Sequence, residues 1–197
     1  MCNLLNVTEN FLIQGAVKKI EQINKGYINR TYLVETETEH NVHKYILQRI
    51  NTNVFTNVEA LMNNYRIITA HLSDKLNMPG KHKRGNVQTL RPTKDGKLYF
   101  EDNSGAWRMM TYFDNVYSLD IPENPEVFYY SGLSFGRFLE AVSSVDAGKI
   151  KEVIPNFHNT MSRYRDFEID VSHDPQKELK QLQMKFLSFV HAPNFSV

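Results

Sequence analysis

Lys44-Tyr45-Ile46-Leu47-Gln48-Arg49-Ile50 is the stretch on which the fold turns. Its β-branched and aromatic content predicts a strand. Alternation puts Tyr45, Leu47 and Arg49 on one face and Ile46, Gln48 and Ile50 on the other. Just beyond it, Val58, Leu61, Met62, Tyr65, Ile68 and Leu72 share one stripe of helical period, which predicts a long amphipathic helix. Thr56 with Glu59 three residues later fits a capping box at its start. Toward the N-terminus, Thr31-Tyr32-Leu33-Val34-Glu35 reads as a strand, joined to the first by the polar segment Thr36 to His43. The run Glu21-Gln22-Ile23-Asn24 reads as another strand, and Gly26 stands between the two as a turn or a point of close backbone approach. Residues from Thr8 to Lys19 read as a short helix carrying Phe11, Leu12 and Val17.

On the other side of the long helix, Val87 to Leu90, Lys97 to Glu101 and Trp107 to Phe113 read as three more strands. Asp95-Gly96 and Ser104-Gly105 are the turn signals between them. The expectation is an antiparallel sheet of about five strands with one long helix, ending near residue 113. Asp114 to Pro125 is the candidate linker. Asn124-Pro125 supplies an N-cap and a first-turn proline to a helix bearing Phe128, Phe135, Phe138, Leu139 and Val142, stopped by Asp146-Ala147-Gly148. Pro155 is expected to open another helix with Phe157, Met161 and Tyr164, and Asp174-Pro175 a last one with Leu179, Leu182, Phe186 and Phe189. The fold class is therefore α+β: residues 1–113 form a sheet lobe, 114–125 a hinge, and 126–197 the helical start of a second lobe.

Composition narrows the function classes. The 197 residues carry 23 Lys+Arg against 22 Asp+Glu, a net charge of +1, which gives no electrostatic reason to expect a nucleic-acid or membrane-surface binder. One cysteine, Cys2, allows no internal disulfide and no cysteine-based zinc site. No run approaches the ~18 apolar residues of a membrane helix, and no signal-peptide pattern opens the chain, so the cytoplasm is the expected compartment.

A small sheet with one helix, then a linker, then helices is the order of a protein-kinase-like fold. Such a site needs a turn over the phosphates, a cation on the third strand, an anion on the helix to hold it, and linker backbone groups for the adenine. Gly26-Tyr27-Ile28-Asn29-Arg30-Thr31 is the candidate turn, with Asn29 and Thr31 as donors. Arg49 is the candidate cation, since a guanidinium offers phosphate a planar fork and stays charged when desolvated. Glu59 is its candidate partner, although the capping box alone explains a Glu there. Tyr112-Phe113-Asp114 is the candidate hinge, and Trp107 before it reads as core. Other matches fail. Gly80 to Gly85 has Walker A spacing but is followed by Asn86-Val87. Arg165-Asp166-Phe167 is followed by Glu168 where a kinase motif needs Gly, and reads as helix surface. His40 and His43 lie in a polar loop with no third ligand nearby, and Lys81-His82-Lys83-Arg84 reads as a solvated basic loop.

Gly26-Tyr27-Ile28-Asn29-Arg30-Thr31-Tyr32, then Tyr45-Ile46-Leu47-Gln48-Arg49-Ile50-Asn51 and Thr52-Asn53-Val54-Phe55 through Glu59-Ala60-Leu61-Met62-Asn63-Asn64, resemble bacterial N-acetylhexosamine 1-kinase-like proteins. These belong to the aminoglycoside phosphotransferase and choline kinase superfamily. Gly105-Ala106-Trp107-Arg108, Ser134-Phe135-Gly136-Arg137-Phe138 and Ile154-Pro155-Asn156-Phe157-His158-Asn159-Thr160 extend the likeness to roughly residues 20 to 185. The resemblance implies transfer of the ATP γ-phosphoryl group to a sugar hydroxyl, with Mg2+ bridging the phosphates. In that picture residues 26–31 lie over the nucleotide, Arg49 touches its phosphates, Glu59 orients Arg49, and the hinge at Tyr112, Phe113 and Asp114 meets the base. The family's catalytic Asp loop and metal-binding Asp have no counterpart in residues 1–197. No catalytic or metal-ligating residue is therefore assigned here, and the chain is expected to be a truncated form whose metal ligands lie in the missing part. The partners implied are a nucleotide and a small-molecule sugar, with no nucleic acid or membrane. The alternatives are a catalytically silent ATP-binding or scaffold remnant, or a kinase for another alcohol such as choline or an aminoglycoside.

Overall fold

The computed structural model describes residues 3–24, 26–76, 87–116 and 119–173. Four expectations lie outside them: Gly80 to Gly85, the basic loop Lys81 to Arg84, the last helix from Asp174, and Cys2. The order of elements is α1 (Leu4–Glu9), β1 (Ala16–Ile23), β2 (Arg30–Glu37), β3 (Val42–Arg49), α2 (Val58–Leu76), β4 (Leu90–Arg91), β5 (Phe100–Asp102), β6 (Gly105–Thr111), α3 (Pro125–Val142), a short 3-10 turn (Ala147–Lys149) and α4 (Thr160–His173). The fold is α+β: one antiparallel six-stranded sheet and, among the described residues, four α-helices. No helix of the described residues is long and apolar enough to cross a membrane.

The strands run in the order β1-β2-β3-β6-β4, with β5 paired to β6 as a hairpin arm. All pairings are antiparallel, and β3 sits in the middle with Tyr32 opposite Leu47 on one side and Gln48 opposite Arg108 on the other. The sheet has six strands where about five are expected, and the runs Val87 to Leu90 and Lys97 to Glu101 contribute only the short β4 and β5, both paired to β6.

The helix expected over Thr8 to Lys19 is corrected. Its first part is the short α1, which begins earlier at Leu4 behind the N-cap Asn3, and its second part is β1. Gly15 divides them. Its φ is +80°, and a Cβ there would lie 2.5 Å from the Glu37 carbonyl oxygen, so the chain leaves the helical region just where β1 joins β2. The segment between α1 and β1 is stitched to the far side of the sheet, with Leu12 N donating to the Pro92 carbonyl and Lys94 N to the Asn10 carbonyl, both at 2.8 Å.

Apolar residues divide by strand alternation. One face gathers Val34, Tyr45, Leu47, Trp107 and Met109, covered by Val7 and Phe11 from α1 and the chain just beyond it. The other gathers Ile50 and Ala106 under Val58 and Met62 of α2. Helix α2 is where the stripe puts it, but its cap differs: the Asn57 side chain accepts from Ala60 N at 2.8 Å, so Asn57 caps the helix in place of Thr56. Helix α3 starts as expected, with the Asn124 side chain accepting from Val127 N at 2.9 Å and Pro125 in the first turn.

The chain divides into two compact units, Met1–Ile154 and Pro155–Val197, so the division falls after the segment 114–125 expected as the linker. The reason lies on α2. His71 Nε2 donates to the Ala141 carbonyl at 3.1 Å, and Asn64 exchanges two hydrogen bonds with the Lys151 backbone at 2.6 and 3.0 Å. These bonds hold the end of α3 and the chain beyond it to the first unit, while the aromatic side chains Phe128, Tyr129, Phe135 and Phe138 stay exposed. In the second unit the helix expected from Pro155 begins at Thr160, where the Asn159 side chain accepts from Ser162 N. Arg165, Asp166 and Phe167 lie on this helix, with Phe167 exposed.

Candidate functional site

The turn between β1 and β2 is fastened to the end of β3 by one side chain. Asn29 Oδ1 accepts from Asn51 N at 2.9 Å, and Asn29 Nδ2 donates to Gln48 Oε1 at 3.4 Å. Gly26 has φ +101° with open space where a Cβ would be, while Tyr27 is fully exposed and Ile28 half exposed. The tip therefore projects from an anchored base. The Thr31 hydroxyl accepts from its cross-strand partner Gln48, through Nε2 at 3.0 Å.

Arg49 is half-buried and close to this turn. With Arg30, Ile28, the Asn51–Asn53 backbone bend and Gly105 it lines a cavity of about 250 Å3. Arg30 is its direct cross-strand partner, and its guanidinium carbon lies 6.0 Å from the Trp107 ring centre. A Cβ on Gly105, whose φ is +129°, would stand 2.7 Å from Arg49 Nε, so glycine makes the room for this side chain. Trp107 belongs to the face covered by α1, and so does Arg49.

That placement corrects one expectation. Arg49 was expected to meet Glu59 in the groove beneath the sheet. Glu59 stands exposed in the first turn of α2, on the opposite face, and the two form no ion pair. Strand alternation is the reason: a residue sharing a face with Tyr45 and Leu47 cannot share one with Ile50, against which α2 packs.

Among the side chains that β3 and β6 present to α2 are the polar pair Gln48 and Arg108. Arg108 Nε and Nη2 both donate to Gln48 Oε1, at 3.0 and 2.6 Å. Its guanidinium carbon is 5.2 Å from the ring centre of Tyr65 on α2, whose hydroxyl donates to the Gln88 carbonyl at 3.1 Å. Burial lowers the Arg108 pKa, and the Tyr65 phenol opposes the shift; burial in turn raises the Tyr65 pKa, with Arg108 working against it. Gln48 Oε1 thus joins the turn, through Asn29, to a desolvated cation.

The β3–β6 ladder ends at Tyr45 opposite Thr111, and Tyr112 and Phe113 of the candidate hinge follow half-buried. Exposed Asp114 is tied back to β3 by Lys44 Nζ at 3.2 Å, which raises the Lys44 pKa, and Lys44 also lies 5.5 Å from the Tyr112 ring centre. Gly26 to Thr31, Gln48 and Arg49 therefore converge at one end of the sheet, while Tyr112, Phe113 and Asp114 lie at the other end of the β3–β6 pair. Glu59 stands apart. Among the described residues no group of three or more His, Cys, Asp and Glu side chains could hold a metal ion. No family model matches the chain.

Arg108 and Gln48 were missed because the sequence alone does not say which face of the sheet the long helix covers. The signal was present, since alternation already set Gln48 apart from Arg49.

Proposed function

We propose that this chain provides the nucleotide-binding lobe of a protein-kinase-like small-molecule phosphotransferase of the aminoglycoside phosphotransferase and choline kinase group, with an N-acetylhexosamine as acceptor. The observation that carries the reading is Asn29. One amide side chain holds both the backbone at Asn51 and the side chain of Gln48, so a glycine-bearing turn is fixed above the end of the central strand. A phosphate chain bound by turn amides needs such a preorganised base, because ordering a loose loop would offset the hydrogen bonds gained. The helix following the third strand, and the linker from the sheet to α3, support the same reading. Acceptor choice rests on the sequence resemblance alone.

Magnesium enters this reading as part of MgATP. The described residues offer no acidic cluster for it, and no step of the transfer is assigned to them. What this chain's residues do is orient the nucleotide: the turn covers the phosphates and the segment Tyr112-Phe113-Asp114 receives the base.

Isothermal titration of the 197-residue chain with MgATP tests this. Saturable binding is expected, and Asn29→Ala is expected to weaken it by about tenfold, the size of one lost hydrogen bond to a buried partner group. No heat of binding at millimolar MgATP would contradict the reading.

A further inference from the structure

We infer that Arg108, held by Gln48 on the α2 face of the sheet, is the phosphate-binding cation of this lobe, in the place where the third strand itself offers no charge. The inference rests on the nucleotide-binding reading and deepens it by naming the group that takes the polyphosphate.

Four observations carry it. Gln48 and Arg108 are direct cross-strand partners, so the guanidinium occupies the level of β3 that faces the helix. Arg108 has no acidic partner among the described residues; its neighbours are an amide oxygen and a phenol ring. A partly desolvated cation without a counter-charge is costly, and an anion arriving beside it recovers that cost. Gln48 Oε1 accepts from Nε and Nη2, which leaves Nη1 without an acceptor among the described residues. No fully buried side-chain nitrogen or oxygen of the described residues lacks a hydrogen-bond partner, so Nη1 is not sealed off from solvent. Finally, the same Gln48 oxygen accepts from Asn29 of the turn, which brings the cation and the turn to one point. Arg49 and its cross-strand partner Arg30 lie on the other face of the sheet, where the Arg49 guanidinium sits beside Trp107 of the core that α1 covers.

The arrangement has a chemical logic. A guanidinium fixed through two of its N–H groups keeps a planar edge for phosphate oxygens and loses little further freedom on binding. Tyr65 stacks beneath it and takes the orienting role that a helix carboxylate would otherwise have, without neutralising the charge.

The test compares MgATP with adenosine on wild-type chain, Arg108→Met and Arg49→Met, with thermal melts to follow folding. Wild-type chain is expected to bind MgATP more tightly than adenosine. Arg108→Met is expected to lose about ten- to a hundredfold in MgATP affinity and to leave adenosine unchanged; Arg49→Met is expected to lose less. If Arg108→Met fails to fold, phenylglyoxal labelling of wild-type chain decides, read by peptide mass mapping: MgATP is expected to protect Arg108 and not Arg66. A folded Arg108→Met with wild-type MgATP affinity, or unprotected Arg108 at saturating MgATP, overturns the inference while leaving nucleotide binding in place. Absence of MgATP binding by wild-type chain overturns both.

Discussion

Trp107→Ala lowers the stability of the chain by about 3–5 kcal/mol, a large part of the ~5–15 kcal/mol available to a domain. Trp107 is 1% exposed and lies between Arg49 and the Tyr32 ring, 6.1 Å from the latter, in the core shared by α1 and the sheet. Its indole N–H donates to Ser104 Oγ at 3.0 Å in the β5–β6 turn, so truncation removes both packing and a turn contact. Urea unfolding should show a fall in midpoint with little change in slope. Trp107→Phe separates the two effects: it retains most of the ring volume and loses only the hydrogen bond. If alanine cost under ~1 kcal/mol, Trp107 could not be the centre of this core.

Gly15→Ala is expected to cost ~2 kcal/mol or more, since a left-handed residue with a side chain is already strained by ~1–2 kcal/mol and the new methyl would meet backbone. The nearest atoms are the Glu37 carbonyl oxygen and carbon, at 2.5 and 2.6 Å, which cannot rotate away. The end of β2 would have to part from β1. Gly26→Ala is the control, with a similar positive φ but open space around it, so it should show the conformational strain alone. Chemical unfolding of the two variants measures the difference. Equal losses would mean that the close approach at Glu37 carries no energy.

These two sites show what the sequence made legible. The alternation in Tyr45 to Ile50 and the stripe from Val58 to Leu72 announced β3 and α2, because burial on one face leaves a periodic imprint. Asn124-Pro125 announced α3 because its cap is local chemistry. Residues 8–19 misled because Phe11, Leu12 and Val17 fit a helical spacing, while the close approach of Gly15 to Glu37 is a tertiary fact between distant segments. The candidate site was half legible for the same reason. Residue order announced a glycine-bearing turn before β2 and Arg49 at the end of β3. The choice between Arg49 and the Gln48–Arg108 pair depended on which face α2 covers, and no local pattern encodes that. Asn57 displaced Thr56 as the cap by one residue, and with that shift the capping-box explanation for Glu59 also falls away.

In the proposed function, nucleotide phosphates sit under residues 26–31 on the face of the sheet that α2 covers. Amide and arginine-Nε nuclear magnetic resonance spectra of the labelled chain, recorded through a MgATP titration, check this placement residue by residue. Saturable shifts are expected at Gly26, Asn29 and the Arg108 Nε–H, with Val7 and Phe11 on the opposite face unmoved. Saturation that leaves Gly26, Asn29 and Arg108 unshifted would contradict it.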